Sequence, residues 1–178
     1  DMILSEFILL GIGGKELSEE NAAQTAKALN IIQPDFIRVH ATGIKLESKL
    51  GEFVRDGSFT LQSEEEIVIE QKLFLQQLHE MDSYYVNEHI VNLLLEVRGN
   101  LRTEKQEMLS TIDRFLTLPP DERLLFTVGR RPNIFFRLDD LKKPKLHQKA
   151  GESLQQILSK NPHVDFAALC NYVRQSQI

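Results

Sequence analysis

The pattern of apolar and polar positions changes its period near the start of the chain. An apolar run rich in strand-forming residues covers 2–10 and stops at a glycine turn, 11–14. A helix start follows at Ser18, whose hydroxyl can cap free backbone N–H groups. Apolar residues then recur at helical spacing, at Ala22, Ala26 and Leu29. This order predicts strand, turn and helix, the β/α unit in which ligands bind beside the turn.

A second strand is predicted over 35–42, after Pro34. Its alternation places Ile37, Val39 and Ala41 on one face and Phe36, Arg38 and His40 on the other. Because a parallel sheet is normally covered on both faces, we expect Arg38 and His40 to point into an interior or a cleft. Buried cations need partners, which favours anion or carboxylate binding. The alternative is an edge strand whose polar face is solvated.

A third strand is predicted over 84–89 and ends in three polar residues, Asn87, Glu88 and His89. In a β/α barrel the carboxyl ends of the strands are the face where chemistry takes place. We therefore predict a substrate contact for Asn87 and His89, with ordinary strand-end polarity as the alternative. One histidine without an established ligand spacing does not predict a metal site.

Ser63 and Glu66 form the pattern of a capping box. The helix that they open has one apolar stripe, at Ile67, Phe74, Leu75, Leu78 and Met81. The acidic run 64–66 is interpreted as helix-start chemistry, since carboxylates stabilise the first turn of a helix.

Further helices are predicted along the rest of the chain. The first lies over 90–97, the second runs from a capping box at 103–106 to the prolines 119–120, and the third runs from Asp121 through Phe126. An irregular piece over 130–137 follows, and two tail helices lie within 146–176. The stretch 142–144 is predicted to be a linker.

Composition fits one globular domain plus a tail, because 178 residues can bury one good core. The single cysteine, Cys170, excludes a disulfide framework and a multi-cysteine metal site within this chain. Its apolar neighbours predict a buried small side chain rather than a nucleophile. No window approaches the roughly 20 apolar residues that span a bilayer. These features favour the cytoplasm and no membrane partner.

Charge is unevenly distributed along the chain. Residues 1–141 have 15 Lys and Arg against 24 Asp and Glu, a net charge of −9, whereas residues 142–178 have a net charge of +4. A nucleic-acid contact would use basic residues interleaved with aromatic ones. Here the lysines stand singly, which favours a solvated helical extension, or one that docks on the acidic body, over nucleic-acid binding.

Familiar catalytic motifs are missing from the sequence, including Gly-x-Ser-x-Gly and His-Glu-x-x-His. The turn at 11–14 is neither a Walker A loop nor a complete dinucleotide fingerprint. Taken alone, it indicates that the backbone closely approaches a ligand or a packed helix.

Several stretches, taken in order, resemble the second half of a radical S-adenosylmethionine enzyme of the Fe–S oxidoreductase branch, related to tRNA-modifying enzymes and coproporphyrinogen oxidases. The stretches are 9–16, 22–29, 34–38, 57–59, 63–67 and 87–93. The resemblance covers about residues 2–141. Gly13 stands where many relatives have proline, and the loop 43–46 departs from their Pro-Gly-Thr-Pro-Leu type.

The resemblance implies roles for individual residues. The adenine of S-adenosylmethionine would lie against the glycine turn and the acidic residue behind it, that is Gly11, Ile12, Gly13, Gly14 and Glu16. Arg38 and His40 would face the barrel interior, near the polar end of the cofactor or the substrate. Asn87 and His89 would line the substrate mouth.

The family also needs a Cys-x3-Cys-x2-Cys loop that holds a [4Fe–4S] cluster and lies after the first barrel strand. With only Cys170, this chain cannot form that loop. The apolar run at its second residue likewise predicts a chain cut at its N-terminal end. We therefore expect the C-terminal half of such an enzyme, inert alone, whose partner is the missing N-terminal half or a second copy.

The predicted fold is α/β: an incomplete (β/α) barrel of about three parallel strands with flanking helices over 1–141, and a basic helical extension over 142–178. Two other functions remain open. One is a non-catalytic interaction module that pairs through an exposed sheet edge. The other is a half-barrel enzyme that binds an anion or a phosphate at the glycine turn.

Overall fold

Four strands form one open sheet in the order β1-β2-β3-β4, in a computed structural model that describes residues 2–177. The strands are β1 Ser5–Leu10, β2 Phe36–Ala41, β3 Tyr84–Val86 and β4 Gly99–Asn100. The first three are parallel, as predicted, and β4 is antiparallel to β3. The third strand ends at Val86, so the prediction of a strand through His89 is wrong.

Seven helices accompany the sheet within residues 2–177. They are α1 Ser18–Ile32, α2 Lys49–Asp56, α3 Glu64–Gln77, α4 Lys105–Leu116, α5 Pro120–Arg130, α6 Pro144–Lys160 and α7 Phe166–Gln175, with a 3-10 turn at Leu138–Lys142. In this part of the chain, no helix has the length and apolar character needed to cross a bilayer.

The core lies between one face of the sheet and the pair α1 and α3. The sheet contributes its buried positions, Ile8, Leu10, Ile37, Val39, Ala41 and Tyr85. From α1 come small residues, Ala22 and Ala26, which allow the helix to lie close to the sheet. The predicted stripe of α3 is confirmed at Ile67, Phe74 and Leu75, whereas Leu78 and Met81 are buried but follow the end of the helix at Gln77. Removing this apolar surface from water is the main stabilising contribution to the fold.

The start of α3 is held by the predicted capping box. The Glu66 N–H donates to Ser63 Oγ at 3.2 Å, and the Ser63 N–H donates to Glu66 Oε2 at 2.7 Å. Two other predicted caps are wrong. Ser18 is the first residue of α1, with Leu17 at the cap position, and its hydroxyl donates to Glu70 and accepts from Gln62 instead of capping the helix. Helix α4 begins without a side-chain cap.

The segment 90–97 does not form the predicted helix, because its polar side chains hold it in turns against the sheet. Asn92 Nδ2 donates to the Val39 carbonyl, and Asn92 Oδ1 accepts from the Ala41 N–H, both at 2.7 Å. The side chain thus replaces a strand partner at the end of β2. Apolar side chains in the segment are buried at Val91, Leu93, Leu94 and Val97.

Helix α5 is longer than predicted and passes through Gly129 to Arg130. Glycine is needed there for packing rather than for ending the helix. A Cβ on Gly129 would lie 2.5 Å from the Phe135 ring, so the aromatic ring occupies the space that a side chain would need. The same Phe135 ring stacks on Phe126, with centroids 5.8 Å apart.

The basic extension docks on the body. Helix α6 packs on α5 and buries Ala150 completely. In α7, Asn171 accepts from the Ile44 N–H at 2.9 Å and donates to the Ile44 carbonyl at 3.0 Å. The two tail helices were predicted from the sequence. Their docking corresponds to one of the alternatives that the charge distribution left open.

Glu64 joins the extension to the start of α3. Its carboxylate is buried between two arginines, with Arg131 Nη2 at 2.9 Å from Oε2 and Arg174 Nη1 bonded to Oε1. The three side chains are almost completely removed from solvent. A charge in such a place is tolerated only when it is paired and hydrogen-bonded. Glu64 therefore does more than stabilise the first turn of the helix.

We expect Glu64→Gln to lower the free energy of unfolding by about 3–5 kcal/mol, since the change leaves two buried arginines without a counter-charge. Glu65 is the matched control. It lies next in the chain, pairs with Arg123 at 3.0 Å and is 44% exposed, so Glu65→Gln should cost about 0–1 kcal/mol. Urea unfolding of both variants measures the difference, and equal losses would contradict the role given to Glu64.

Candidate functional site

Within residues 2–177, one face of the sheet has exposed and half-buried side chains and is not covered by a helix layer. The strand register places its side chains in rows: Ser5 beside Phe36 and Tyr84, Phe7 beside Arg38 and Val86, and Leu9 beside His40. We call these residues the bare face. Phe7 is 65% and Leu9 46% exposed, although both are large apolar side chains in the strand β1. Parallel sheets normally have both faces covered, so this exposure is unusual.

Arg38 lies at the middle of the bare face and is held by its neighbours. Its guanidinium carbon is 5.9 Å from the Phe7 ring centroid and 5.7 Å from that of Phe36. Its Nε donates to Ser5 Oγ at 3.0 Å. Two aromatic rings and one hydroxyl therefore orient a cation that has no carboxylate partner among the salt bridges of residues 2–177. Such an arrangement can attract an anion.

A histidine pair continues the bare face toward the carboxyl ends of the strands. The rings of His40 and His89 stack with centroids 4.1 Å apart, and the Phe7 ring meets His40 edge-on at 5.5 Å. Burial lowers the pKa of His40, and the nearby His89 and Arg38 lower it further. His40 is therefore neutral at pH 7 and offers one N–H donor and one acceptor.

The glycine turn lies at the same edge of the sheet, where β1 ends. Gly11 and Gly14 have φ angles of 84° and 63°, which favour glycine. The Gly14 N–H donates to the Gly11 carbonyl at 3.3 Å, and the Lys15 N–H donates to the Thr60 carbonyl at 3.1 Å. A Cβ on Gly14 would lie 3.0 Å from that same carbonyl. The close approach at Gly14 is thus to packed protein.

A buried carboxylate, Glu70 of α3, holds the glycine turn on the side that faces the protein interior. It accepts from the Gly11 N–H at 3.1 Å, the Ser18 hydroxyl at 2.9 Å and Asn21 Nδ2 at 2.7 Å. Sequence reasoning missed this residue. Its spacing in the sequence could have identified it. Glu70 lies three residues after Ile67 and four before Phe74, which places a glutamate on the buried stripe of α3.

Two backbone N–H groups of the turn have no partner among the hydrogen bonds described for residues 2–177. They belong to Ile12 and Gly13, and the Ile12 side chain is exposed. Behind them, the Thr60 hydroxyl donates to Glu16 Oε1 at 2.5 Å, and this hydrogen bond is the main reason why the pKa of Glu16 is lowered. The outer side of the turn therefore offers donors with a carboxylate nearby.

Asn87 and His89, predicted as a pair, have different surroundings. Asn87 is buried, donates to the Leu94 carbonyl at 2.6 Å and accepts from Asn92 Nδ2 at 2.5 Å. Its amide holds the loop after β3. His89 lies against His40 on the bare face. The structure brings Arg38, His40 and His89 together on the bare face, whereas Asn87 is buried and makes its hydrogen bonds inside the protein.

The described residues do not provide a place for a metal cluster. Within residues 2–177, no group of three His, Cys, Asp or Glu side chains is arranged to hold a metal ion. Cys170 is buried, as predicted, and burial raises the pKa of its thiol to about 12. A metal ligand must be the thiolate, so Cys170 is unsuited to that role.

Comparisons with protein-family models, with curated proteins and with solved structures find no match for this chain. The family resemblance of the sequence therefore stays a prediction. The candidate site rests on the geometry of the bare face and the glycine turn.

We expect the NMR titration midpoint of His40 to lie below the ordinary value of 6.5, in line with its lowered pKa. His89→Ala should raise the midpoint, because it removes a neighbouring positive charge. His163→Ala is the control, since His163 is exposed in the turn between α6 and α7. A midpoint that His89→Ala leaves unchanged would contradict the coupling.

The lowered pKa of His40 also determines how the stability of the fold changes with pH. Between the lowered pKa of His40 and 6.5, the unfolded chain binds more protons than the folded chain. The contribution of His40 to stability is therefore present above 6.5 and is lost as pH falls through that window. His40→Gln should remove this part of the pH dependence in urea unfolding.

Comparing the unfolding free energies of Gly14→Ala and Gly57→Ala separates the cost of backbone strain, which both variants have, from the cost of crowding, which only Gly14→Ala has. Both glycines have positive φ, which costs an alanine about 1–2 kcal/mol. A Cβ on Gly57 meets no atom within 4 Å, whereas one on Gly14 meets the Thr60 carbonyl. We expect a larger loss of unfolding free energy for Gly14→Ala, and equal losses would show that the turn is not tightly packed.

Proposed function

We propose that this chain forms the C-terminal part of a radical S-adenosylmethionine enzyme, and that the bare face is the inner wall of its β/α barrel. The observation on which the proposal depends is the one-sided cover of the sheet. Helices α1 and α3 bury one face, while the opposite face exposes Phe7 and Leu9 and holds Arg38 and His40. The order of strands, helices and side chains fits the family that the sequence resembles.

The free edge of β1 supports the same proposal. Among the described strands, β1 pairs with β2 alone, so its other edge has unpaired backbone groups. An exposed parallel edge beside exposed apolar side chains invites association. In a barrel, a further strand pairs with this edge, and the opposite wall covers the bare face. Both unusual features then have one explanation.

The glycine turn suits the adenine of S-adenosylmethionine. Adenine ring nitrogens accept hydrogen bonds, and the N–H groups of Ile12 and Gly13 have no partner among the described residues. Glu70 holds Gly11 from the opposite side, so the outer donors are fixed before a ligand binds. Pre-organised donors bind without the cost of ordering a loop. Gly14 and Glu16 complete this wall.

The [4Fe–4S] cluster does not fit on the described residues. Its cysteines would have to come from another part of the complete protein, and we assign no reaction step to this chain. When bound, the cluster supplies the electron that cleaves S-adenosylmethionine. The residues of this chain would support the adenine and place Arg38, His40 and the ring of His89 on the wall of the reaction chamber.

The alternative function is an interaction module whose bare face and free β1 edge bind another protein. The same exposed apolar side chains favour it. The two functions differ in the ligand: a barrel wall binds S-adenosylmethionine at the glycine turn, whereas an interaction module leaves that turn unchanged.

The complete reading frame that encodes this chain, purified anaerobically with iron and sulfide, tests the proposal. We expect the absorbance of a [4Fe–4S] cluster and, on adding S-adenosylmethionine, slower hydrogen exchange in peptides that cover 11–14. Peptides that cover the exposed turn 57–58, directly after α2, are the internal control. A reading frame that lacks the three-cysteine loop and shows no protection at 11–14 would overturn the proposal.

Self-association of the chain alone gives a further prediction. We expect the 178-residue chain to form dimers or larger oligomers in sedimentation, because the bare face is apolar and exposed. Phe7→Asp should shift it to the monomer. Ile31→Asp is the control, since Ile31 is exposed on α1, away from the bare face. A chain that is monomeric before any substitution would contradict the expectation.

A further inference from the structure

A pocket of about 410 Å³ lies between the end of α5 and the two tail helices. Its size falls in the range of small-molecule sites, about 300–1,000 Å³. The walls are mainly apolar, formed by Val128, Ile157, Leu169 and Val173. This pocket is separate from the bare face and from the glycine turn, so it does not depend on the proposed function.

The polar lining of the pocket is cationic or hydrogen-bond donating. It contains Arg131 and Lys160 but no Asp or Glu. Lys160 is exposed at the end of α6, and Arg131 is more than nine-tenths buried. Both Nη groups of Arg131 are already used, one on Glu64 and one on the Val91 carbonyl, which leaves its Nε–H and the ammonium of Lys160. An apolar cavity with these two groups and no carboxylate in its lining is complementary to an apolar molecule that has one negative head group.

Arg131 belongs to a cluster of buried arginines that has more positive charge than its carboxylate partner can balance. Arg130, Arg131 and Arg174 lie close to one carboxylate, that of Glu64. Within the described residues, the Nε–H of each arginine is buried without a hydrogen-bond partner. Burial and the neighbouring Arg131 lower the pKa of Arg130 to about 10, in keeping with this surplus. A buried donor without a partner is costly, and an anion nearby would relieve that cost.

We propose that the pocket between α5, α6 and α7 binds an apolar carboxylate, with its hydrocarbon part against the apolar walls and its head group toward Arg131 and Lys160. The free acid and an acyl group with a different anionic head share this chemistry. Because the pocket is formed largely by the basic extension, the ligand would bind only when the extension is docked on the body.

Decanoate is the probe, and decanol is its uncharged counterpart. We expect calorimetry on the complete chain to give at least tenfold tighter binding of decanoate than of decanol, and weaker decanoate binding as salt concentration rises. Equal affinities for the acid and the alcohol would overturn the proposal, because the cations would then make no contribution.

Two variants locate the binding. Lys160→Glu should weaken decanoate binding about three- to tenfold, whereas Lys149→Glu, an equally large charge change on the exposed face of the same helix, should leave it unchanged. Ile157→Trp should fill the pocket and abolish binding while circular dichroism stays that of the parent chain. Binding that survives Ile157→Trp, as it would on the bare face, overturns the proposal.

Discussion

The buried carboxylate of Glu64 has to be compensated, and that requirement holds two distant parts of the chain together. Its partners are Arg131, 67 residues later, and Arg174, 110 residues later. If either arginine moved away, the buried carboxylate of Glu64 would lose part of its charge compensation. The start of α3, the end of α5 and the last helix α7 are therefore fixed relative to one another. Of the three residues, Arg131 also lines the pocket that the extension closes.

Helix α3 organises the other end of the molecule through a second buried carboxylate. Glu70 accepts hydrogen bonds from the glycine turn and from the first turn of α1. One helix thus packs its apolar stripe on the sheet and uses two carboxylates to position the turn and the tail. The outer N–H groups of Ile12 and Gly13 remain available because the inner contacts of the turn are made by Glu70 and by the loop around Thr60.

The bare face is the consequence of covering a parallel sheet on one side only. Burying Phe7 and Leu9 against a second layer would stabilise the fold, and both instead remain exposed beside Arg38 and His40. Side chains of this kind suit a surface that is covered in a larger assembly or that lines a chamber. The proposed barrel satisfies both the exposed face and the unpaired edge of β1.

Local patterns in the sequence determined the strand, turn and helix at the start, the capping box at Ser63 and the alternation that puts Arg38 and His40 on one face. These features depend on neighbours a few residues apart, so periodicity and cap chemistry are sufficient to predict them. Only the tertiary structure decided that Glu64 is an ion-pair partner, that Ser18 donates to Glu70 and that Asn87 holds a loop. Their partners lie elsewhere in the fold, and burial, which no local pattern reports for a polar residue, decides what each side chain must bond.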